Sequence, residues 1–570
     1  MTAPTTPETV RLRLTPALII AVLQVAIFIA FQQFGATIIT SAIGNFGVPL
    51  LGTIAFAIWW MLRSGAPKRD RFVGLALFLA GVAVVVLTQE NTYNGTALLG
   101  GALLYLVPGL TLLLLLTAML PWPARRGIAA LFLVACMATF AAMKVTGVGE
   151  GFTTYTDWRW QAAGQAGIKA DSANATAVLP AQVTAADWPA FRGPQRDSAA
   201  RGVACSTDWS TPPKEVWRRA VGPGHSSFCI VGDVLFTQEQ SGEDELVTCY
   251  SALTGEPIWV NSIKYHHNDV QGGEGPRATP AYANGKLYTQ SAGSLLQCLD
   301  AATGKLLWKQ DLATKENPNP PIWGYSSSPL VVGDLVIQHS TGAGRRDMAA
   351  FNANTGEPVW SAAKDLTGYS SPHLVTVDGQ PQVLMLDSGG VQSVDPLSGS
   401  LLWKHDWPID MLERCVQPLP TENGGIALGT TDQGTRLLQL KKTDTGWDVK
   451  QAWDNTKHRP YFYDNVYHKG AIYGFDGNRL CCLDATTGET KWQGTRYGGQ
   501  VILLPEVDLL LVISEKGKLA VVKADPAAFT EVAQFPAIHG RTWNHPAIAH
   551  GKLYLRNSEE MACFELPGKS

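Results

Sequence analysis

The feature that most constrains this chain is a phrase of eleven residues, Cys298-Leu-Asp-Ala-Ala-Thr-Gly-Lys-Leu-Leu-Trp308. A short apolar strand ends in Asp300, turns at Thr303-Gly304, and restarts in a strand that closes on Trp308. The phrase returns at Cys249–Trp259, Ala350–Trp360, Ser393–Trp403 and Cys482–Trp492. In every copy the glycine stands four residues before the tryptophan: Gly255, Gly304, Gly356, Gly399 and Gly488. A small unit recurring every few tens of residues cannot bury its own hydrophobic face, so neighbouring copies must stack on one another. The repeat residues have structural duties. The glycine supplies a positive φ, the Asp or Asn caps the turn, and the tryptophan fills space between units.

Residues 1–148 have a different character. Five apolar runs, Pro16–Phe34, Val48–Leu62, Phe72–Thr88, Ala97–Leu120 and Ile128–Val145, reach or approach the ~20 residues that cross a bilayer as a helix. The second is short unless it borrows Ile43–Phe46. Arg11 and Arg13 precede the first run, Arg63, Lys68, Arg69 and Arg71 lie between the second and third, and Arg125 and Arg126 lie between the fourth and fifth. Segments 35–47 and 89–96 hold no Lys or Arg. The positive-inside rule then predicts a cytoplasmic N-terminus and an outward-facing remainder. No run contains an acidic residue, which argues against an ion path and for an anchor. A quinone-docking surface among the helices stays open as the alternative. Net charge is −3, so no global field recruits nucleic acid.

Residues 149–187 lack apolar periodicity and read as an extracytoplasmic linker, with Trp158 and Trp160 suited to the membrane interface. From Lys214 onward short strands alternate with tight turns such as Asn284-Gly285, Gly333-Asp334 and His550-Gly551. Four antiparallel strands per repeat is the pattern of a β-propeller blade. The closing aromatics Trp259, Trp308, Trp360, Trp403, Trp453, Trp492 and Phe535 mark seven blades. Residues 541–566 supply three further strands and no fourth, while Pro213–Trp217 ends in a tryptophan with no blade before it. The expected architecture is an all-α membrane domain of five transmembrane helices (1–148), the linker (149–187), and an all-β eight-bladed propeller (188–570) whose last blade is closed by the N-terminal strand.

The phrase Asp-Ala-x-Thr-Gly-x-x-x-Trp resembles the tryptophan-docking repeat of pyrroloquinoline-quinone (PQQ) propellers, over about residues 187–566. That family includes PQQ-dependent dehydrogenases and non-enzymatic BamB-like assembly proteins of the bacterial envelope. The resemblance implies a multi-pass protein of the bacterial inner membrane with its propeller in the periplasm. It leaves two functions open: a binding or scaffold module for an envelope protein or anionic ligand, and a membrane dehydrogenase oxidising an alcohol or sugar and passing electrons to quinone. In the second, PQQ with calcium is the implied cofactor pair. The short blades favour the binding module.

Reading the segments that lead into each innermost strand in register gives His225, Arg277, Tyr325, Tyr369, Arg414, Arg459, Arg496 and Arg541, with Trp543 and Glu274 beside them. Five converging guanidinium groups would suit a carboxylate or phosphate ligand, and local ion pairs on a solvated rim are the competing explanation. Glu274, Asn544, Asp387 and Asp432 are oxygen donors of the kind calcium takes. None matches the family's metal site residue by residue, and no residue is assigned to catalysis. Cys481-Cys482 occupies a third strand, like Cys249, Cys298 and Cys563, which favours buried thiols over a vicinal disulfide. Cys205 and Cys229 remain an open pair. His266, His267 and Asp269 lack a second ligand pair at zinc spacing and read as a loop.

Overall fold

The computed structural model describes residues 10–34, 40, 42–89, 92–148, 154–160, 168, 174–269, 271–313, 320–339, 346–363, 368–409 and 414–568. The chain divides into two compact units, Met1–Ala162 with Val270–Gly272, and Ala163–Asp269 with Gly273–Ser570.

The first unit carries five helices long and apolar enough to cross a membrane. They are α1 (Leu14–Phe34), α2 (Val48–Leu62), α3 (Lys68–Leu87), α4 (Thr92–Leu116) and α5 (Trp122–Ala141). The short second run is lengthened by a π-helical turn at Ile43–Gly47, giving a continuous apolar stretch Ile43–Leu62. The fifth run is corrected at its end. The helix stops at Ala141, and Met143–Val148 turns into a strand paired antiparallel with Thr154–Trp158. Val145 and Thr156 are β-branched and sit opposite each other in that ladder, which suits strand better than helix. The indoles of Trp158 and Trp160 stack at 4.9 Å.

The second unit is an eight-bladed propeller. Each blade is a four-stranded antiparallel sheet with the first strand innermost. In chain order the first strands begin at Cys229, Ala281, Leu330, His373, Leu419, Val466, Gly499 and Ala547, and number blades 1 to 8. Blade 8 takes its outer strand from Lys214–Ala220, which pairs with Glu560–Glu565, so the two ends of the propeller close in one sheet. That closure removes an open sheet edge.

The repeat phrase performs one packing job many times. The Trp259 ring of blade 1 lies on Gly304 of blade 2, where a Cβ would stand 2.5 Å from the indole. The same holds for Trp217 on Gly255, Trp308 on Gly356, Trp360 on Gly399 and Trp453 on Gly488. Each of these indoles also donates Nε1–H to a carbonyl of the next blade: Ala252, Ala301, Ala353, Pro396 and Ala485, at 2.9–3.1 Å. Trp403 departs from the pattern, because the third and fourth strands of blade 5 turn at Thr443–Gly446 rather than through the repeat phrase. Its indole turns back to Gln382 Oε1 of its own blade at 2.6 Å. Cys249, Cys298, Cys482 and Cys563 sit opposite Trp259, Trp308, Trp492 and Trp217 in the ladders, buried in these inter-blade layers.

The linker range is not bare chain throughout. Ala175 and Ala177 donate backbone hydrogen bonds to Ile258 and Ala302 of blades 1 and 2. Asp187 accepts from Thr184, Gly232 and His550, pinning the segment that follows.

Candidate functional site

Residues 187–200 form no regular element, yet they bond to the inner strands of six blades or to the residues just before them. Trp188 exchanges two backbone hydrogen bonds with Ile230 of blade 1, and Pro189 accepts from Tyr282 of blade 2. Arg196 donates to the carbonyls of Ser328 and Pro329 of blade 3 at 3.1 and 2.8 Å. Arg192 reaches the Asn465 carbonyl of blade 6 at 2.8 Å and the Asp464 carboxylate at 3.5 Å. Ser198 and Ala200 pair with Leu503 of blade 7, and the Ser198 hydroxyl meets His545 Nε2 of blade 8 at 2.8 Å. Arg192, Arg196 and Ser198 all have positive φ, at 63°, 56° and 60°. Such a backbone persists only where its surroundings fix it from several sides. The segment therefore plugs one end of the central channel. Burial and the nearby Arg192 charge pull the Arg196 guanidinium down to about 9.

Above the plug, a belt of hydrogen bonds runs from blade to blade. The residues two positions before the first strands are Ser227, Thr279, Ser328, Ser371, Gln417 and Asp464. The Ser227 amide donates to Thr279 Oγ1, Thr279 to Ser328 Oγ, Ser328 to Ser371 Oγ and Ser371 to Gln417 Oε1, all at 2.9 Å. Gln417 donates to Asp464 Oδ1 at 2.7 Å, and Ser227 Oγ reaches the His545 carbonyl at 2.5 Å. Short polar side chains at this register thus satisfy backbone amides that the inner strands, which begin two residues later, leave unpaired.

Two positions further up, the side chains enclose a cavity of about 180 Å³ with Phe191 of the plug in its lining. Its wall carries His225, Arg277, Ser326, Tyr369, Cys415, Phe462 and Trp543, with Gln500 supplied by blade 7. All eight blades contribute. The His225 ring stacks on Trp543 at 5.6 Å, Phe462 meets Trp543 edge-on at 5.1 Å, and Tyr369 packs against Trp323 at 4.8 Å. Trp543 Nε1 donates to Glu515 at 2.7 Å, and the Arg541 guanidinium lies 4.3 Å over its ring.

Of the residues read from sequence, the structure brings His225, Arg277, Tyr369 and Trp543 together around this cavity. Tyr325 is buried one residue before Ser326, in the apolar cluster that also holds Leu312 and Val336, and does not line the cavity. Arg414, one residue before Cys415, is buried, lies 4.6 Å over the Trp407 ring and bonds the Trp407 carbonyl. Burial lowers it to about 10. Arg459 donates to the Thr456 carbonyl, and Arg496 ends an outer strand beside Arg479. Glu274 is half exposed, 3.8 Å from His266. The expected ring of five guanidinium groups therefore supplies one side chain to the cavity wall, Arg277.

That one is spent. Arg277 Nη1 donates to the carbonyls of Glu274 and Gly275, and Nη2 to Gly273 at 2.7 Å and to the Asp269 carboxylate. The strands Asn268–Asp269 and Gly273–Glu274 pair to hold those acceptors in place. Both charged groups are nearly buried, with 7% and 5% of their side chains exposed, and a guanidinium paired at this depth offers little net field to a second anion. His545 is pushed down to about 3 by burial and by Arg192, so it is neutral at physiological pH.

The sequence reading missed Phe191, the belt, Cys415, Phe462 and Asp464. The belt had a faint signal: Ser, Thr, Gln or Asp two residues before six of the eight inner strands.

The residues present do not fit PQQ, a tricarboxylate. Among the described residues the cavity lining holds one guanidinium, Arg277, already paired, and about 180 Å³ falls below the ~300 Å³ at which ligand pockets usually begin. The four calcium-type donors are dispersed. Asp387 caps Gly389 and Gly390, Asn544 donates to Gly224 and Ser226, and no cluster of three metal-type ligands forms among the described residues. All nine cysteines are free thiols, including Cys205, Cys229, Cys481 and Cys482.

A family model described as outer membrane protein assembly factor BamB matches residues 243–410. The BamB of Shewanella oneidensis is 24% identical over 393 residues, covering 60% of this chain and 95% of that protein. The quinoprotein alcohol dehydrogenase PedH of Pseudomonas putida is 29% identical over 158 residues, covering 26% of this chain and 25% of that enzyme. The crystal structure of quinohemoprotein alcohol dehydrogenase from Comamonas testosteroni overlays with a TM-score of 0.49 at 14% identity, over 68% of this chain and 81% of that one.

Proposed function

We propose that this chain, a propeller of the PQQ-like, BamB-like repeat preceded by five apolar helices, is a membrane-anchored scaffold. It displays its propeller on the periplasmic side of the inner membrane and binds an envelope protein there. The observation that carries this reading is Arg277. Among the described residues the one guanidinium lining the channel cavity is consumed by Asp269 and three carbonyls, which leaves it little charge to offer an anionic cofactor. Coverage supports the same side, since the likeness to BamB spans 95% of that protein and the likeness to PedH a quarter of that enzyme. The helices supply the anchor, with the Arg-rich segments 63–71 and 121–126 facing the cytoplasm.

The second reading, a membrane quinoprotein dehydrogenase, is favoured by one observation, the 29% identity to PedH over 158 residues. One experiment separates the two. Membranes carrying the full chain are supplied with PQQ and calcium and assayed with an artificial electron acceptor across alcohols and aldoses. A photo-crosslinking residue at Leu307, half exposed on the outer strand of blade 2, reports partners in the same cells. The scaffold reading expects no turnover above chain-free membranes and a dominant crosslink to one envelope protein. Turnover that requires PQQ would overturn it.

A further inference from the structure

A second cavity lies within the helical unit. Helices α2, α3, α4 and α5 enclose a cleft of about 370 Å³. Its walls are apolar, built by side chains such as Phe56, Phe78, Val107, Leu110 and Leu133. One end is polar. Arg69 and Asp70 open α3 there, Trp122 and Arg126 open α5, and Trp60 approaches the end of α2. Eight residues separate Asp70 from Phe78, so at 1.5 Å per residue the apolar part runs about 12 Å inward from the charged mouth.

Two independent observations mark this cleft as a binding site. The first is charge. Asp70 accepts from Trp122 Nε1 at 2.6 Å and pairs with Arg126 at 3.1 Å. Arg69 has no carboxylate within ion-pair distance among the described residues. Two guanidinium groups and one carboxylate leave the mouth with one positive charge in excess. The second is Gly127. Elsewhere in these helices glycine permits close helix packing: a Cβ would meet Gln24 at Gly52, Met137 at Gly81 and Phe132 at Gly109, at 2.1–2.7 Å. A Cβ on Gly127, which lines the cleft, would meet nothing within 4 Å. Glycine in a helix interior is about 1 kcal/mol less favourable than alanine, and at this position no neighbour requires it. A side chain there would project into open space.

We propose that this cleft binds one anionic phospholipid. The headgroup phosphate sits between Arg69 and Arg126, with the Asp70–Trp122 pair holding the two helix starts together, and an acyl chain lies along the apolar wall. The inference rests on the membrane-anchor reading, which turns these helix starts to the cytoplasmic leaflet, where anionic lipids concentrate. A zwitterionic headgroup would bring its own cation against the surplus guanidinium, so the site discriminates by charge.

The test is native mass spectrometry of the full chain in detergent with equimolar phosphatidylglycerol and phosphatidylcholine. The wild type is expected to carry one lipid and to favour phosphatidylglycerol by at least about fivefold, the scale of one basic side chain at an anionic surface. Arg69→Gln with Arg126→Gln should bring the ratio near one while leaving Asp70 bonded to Trp122. Gly127→Leu, which fills the cleft without backbone conflict, should remove the adduct. A ratio near one in the wild type, or an undiminished adduct in Gly127→Leu, overturns the proposal. Alkaline carbonate extraction of the same proteins keeps the two readings apart. Wild type released into the supernatant would contradict the anchor, whereas membrane-retained protein without lipid preference would contradict the lipid site alone.

Discussion

At the scale of single residues, the propeller depends on glycines whose hydrogens face indoles. Gly304 and Gly285 have nearly equal φ, 69° and 77°, but different surroundings: a Cβ at 304 would lie 2.5 Å from the Trp259 ring, and one at 285 would meet nothing within 4 Å. Gly285→Ala should therefore cost only the left-handed backbone penalty, ~1–2 kcal/mol, and Gly304→Ala a further ~1–3 kcal/mol for overpacking. Urea unfolding followed by tryptophan fluorescence measures the difference, and equal losses would show that the docking contact adds nothing. Glu245 gives a pH-dependent prediction. It is buried against Ser291 and the Ala292 amide, and desolvation raises it to about 8. Between the unfolded carboxyl value near ~4.3 and about 8 the folded state keeps a proton that the unfolded state has lost. Stability from this group is thus full at low pH and falls by about 1.4 kcal/mol per pH unit as pH rises through that window. Glu245→Gln should abolish the slope, so its stability relative to wild type climbs from pH 5 to pH 8; a flat difference would contradict the buried proton. The turn glycines and docking tryptophans were legible in the sequence because steric fit fixes their spacing. The cavity residues were legible only in part. Inter-blade loops differ in length, and a slip of one residue moves attention from Cys415 to Arg414, whose side chain lies over Trp407 instead.

At the scale of elements, the plug and the closing strand make the propeller a ring. The sequence shows the closing strand plainly, since Trp217 lacks a blade before it and the last three strands lack a partner. It conceals the plug, because residues 187–200 have no period and their hydrogen bonds reach partners 42 to 347 residues away. Arg196 is the element's main fastening to blade 3. Arg196→Ala would leave the Ser328 and Pro329 carbonyls buried without donors, at ~1–3 kcal/mol each. The variant should unfold at a lower urea midpoint and expose the plug to limited proteolysis near Pro194 before the blades are cut. Unchanged proteolysis would mean that the plug is held by its backbone pairs to Ile230 and Leu503 alone. The same logic explains the misplaced end of the fifth apolar run. Hydropathy continues through Val145, but the strand pairing of Met143–Val148 with Thr154–Trp158 ends the helix at Ala141.

At the scale of the whole molecule, a repeat that builds PQQ propellers has here built one whose channel is plugged at one end and neutralised at the other. Fold alone does not assign function, so the account rests on the chemistry of the cavity: aromatic walls, a belt of satisfied hydroxyls and amides, and one guanidinium already paired with Asp269. The most direct test is titration of the full chain with PQQ, with and without calcium, followed by tryptophan quenching and calorimetry. The account predicts no saturable binding under either condition. Saturable binding in the micromolar range or tighter, lost in Arg277→Ala, would contradict it and assign the channel to a cofactor.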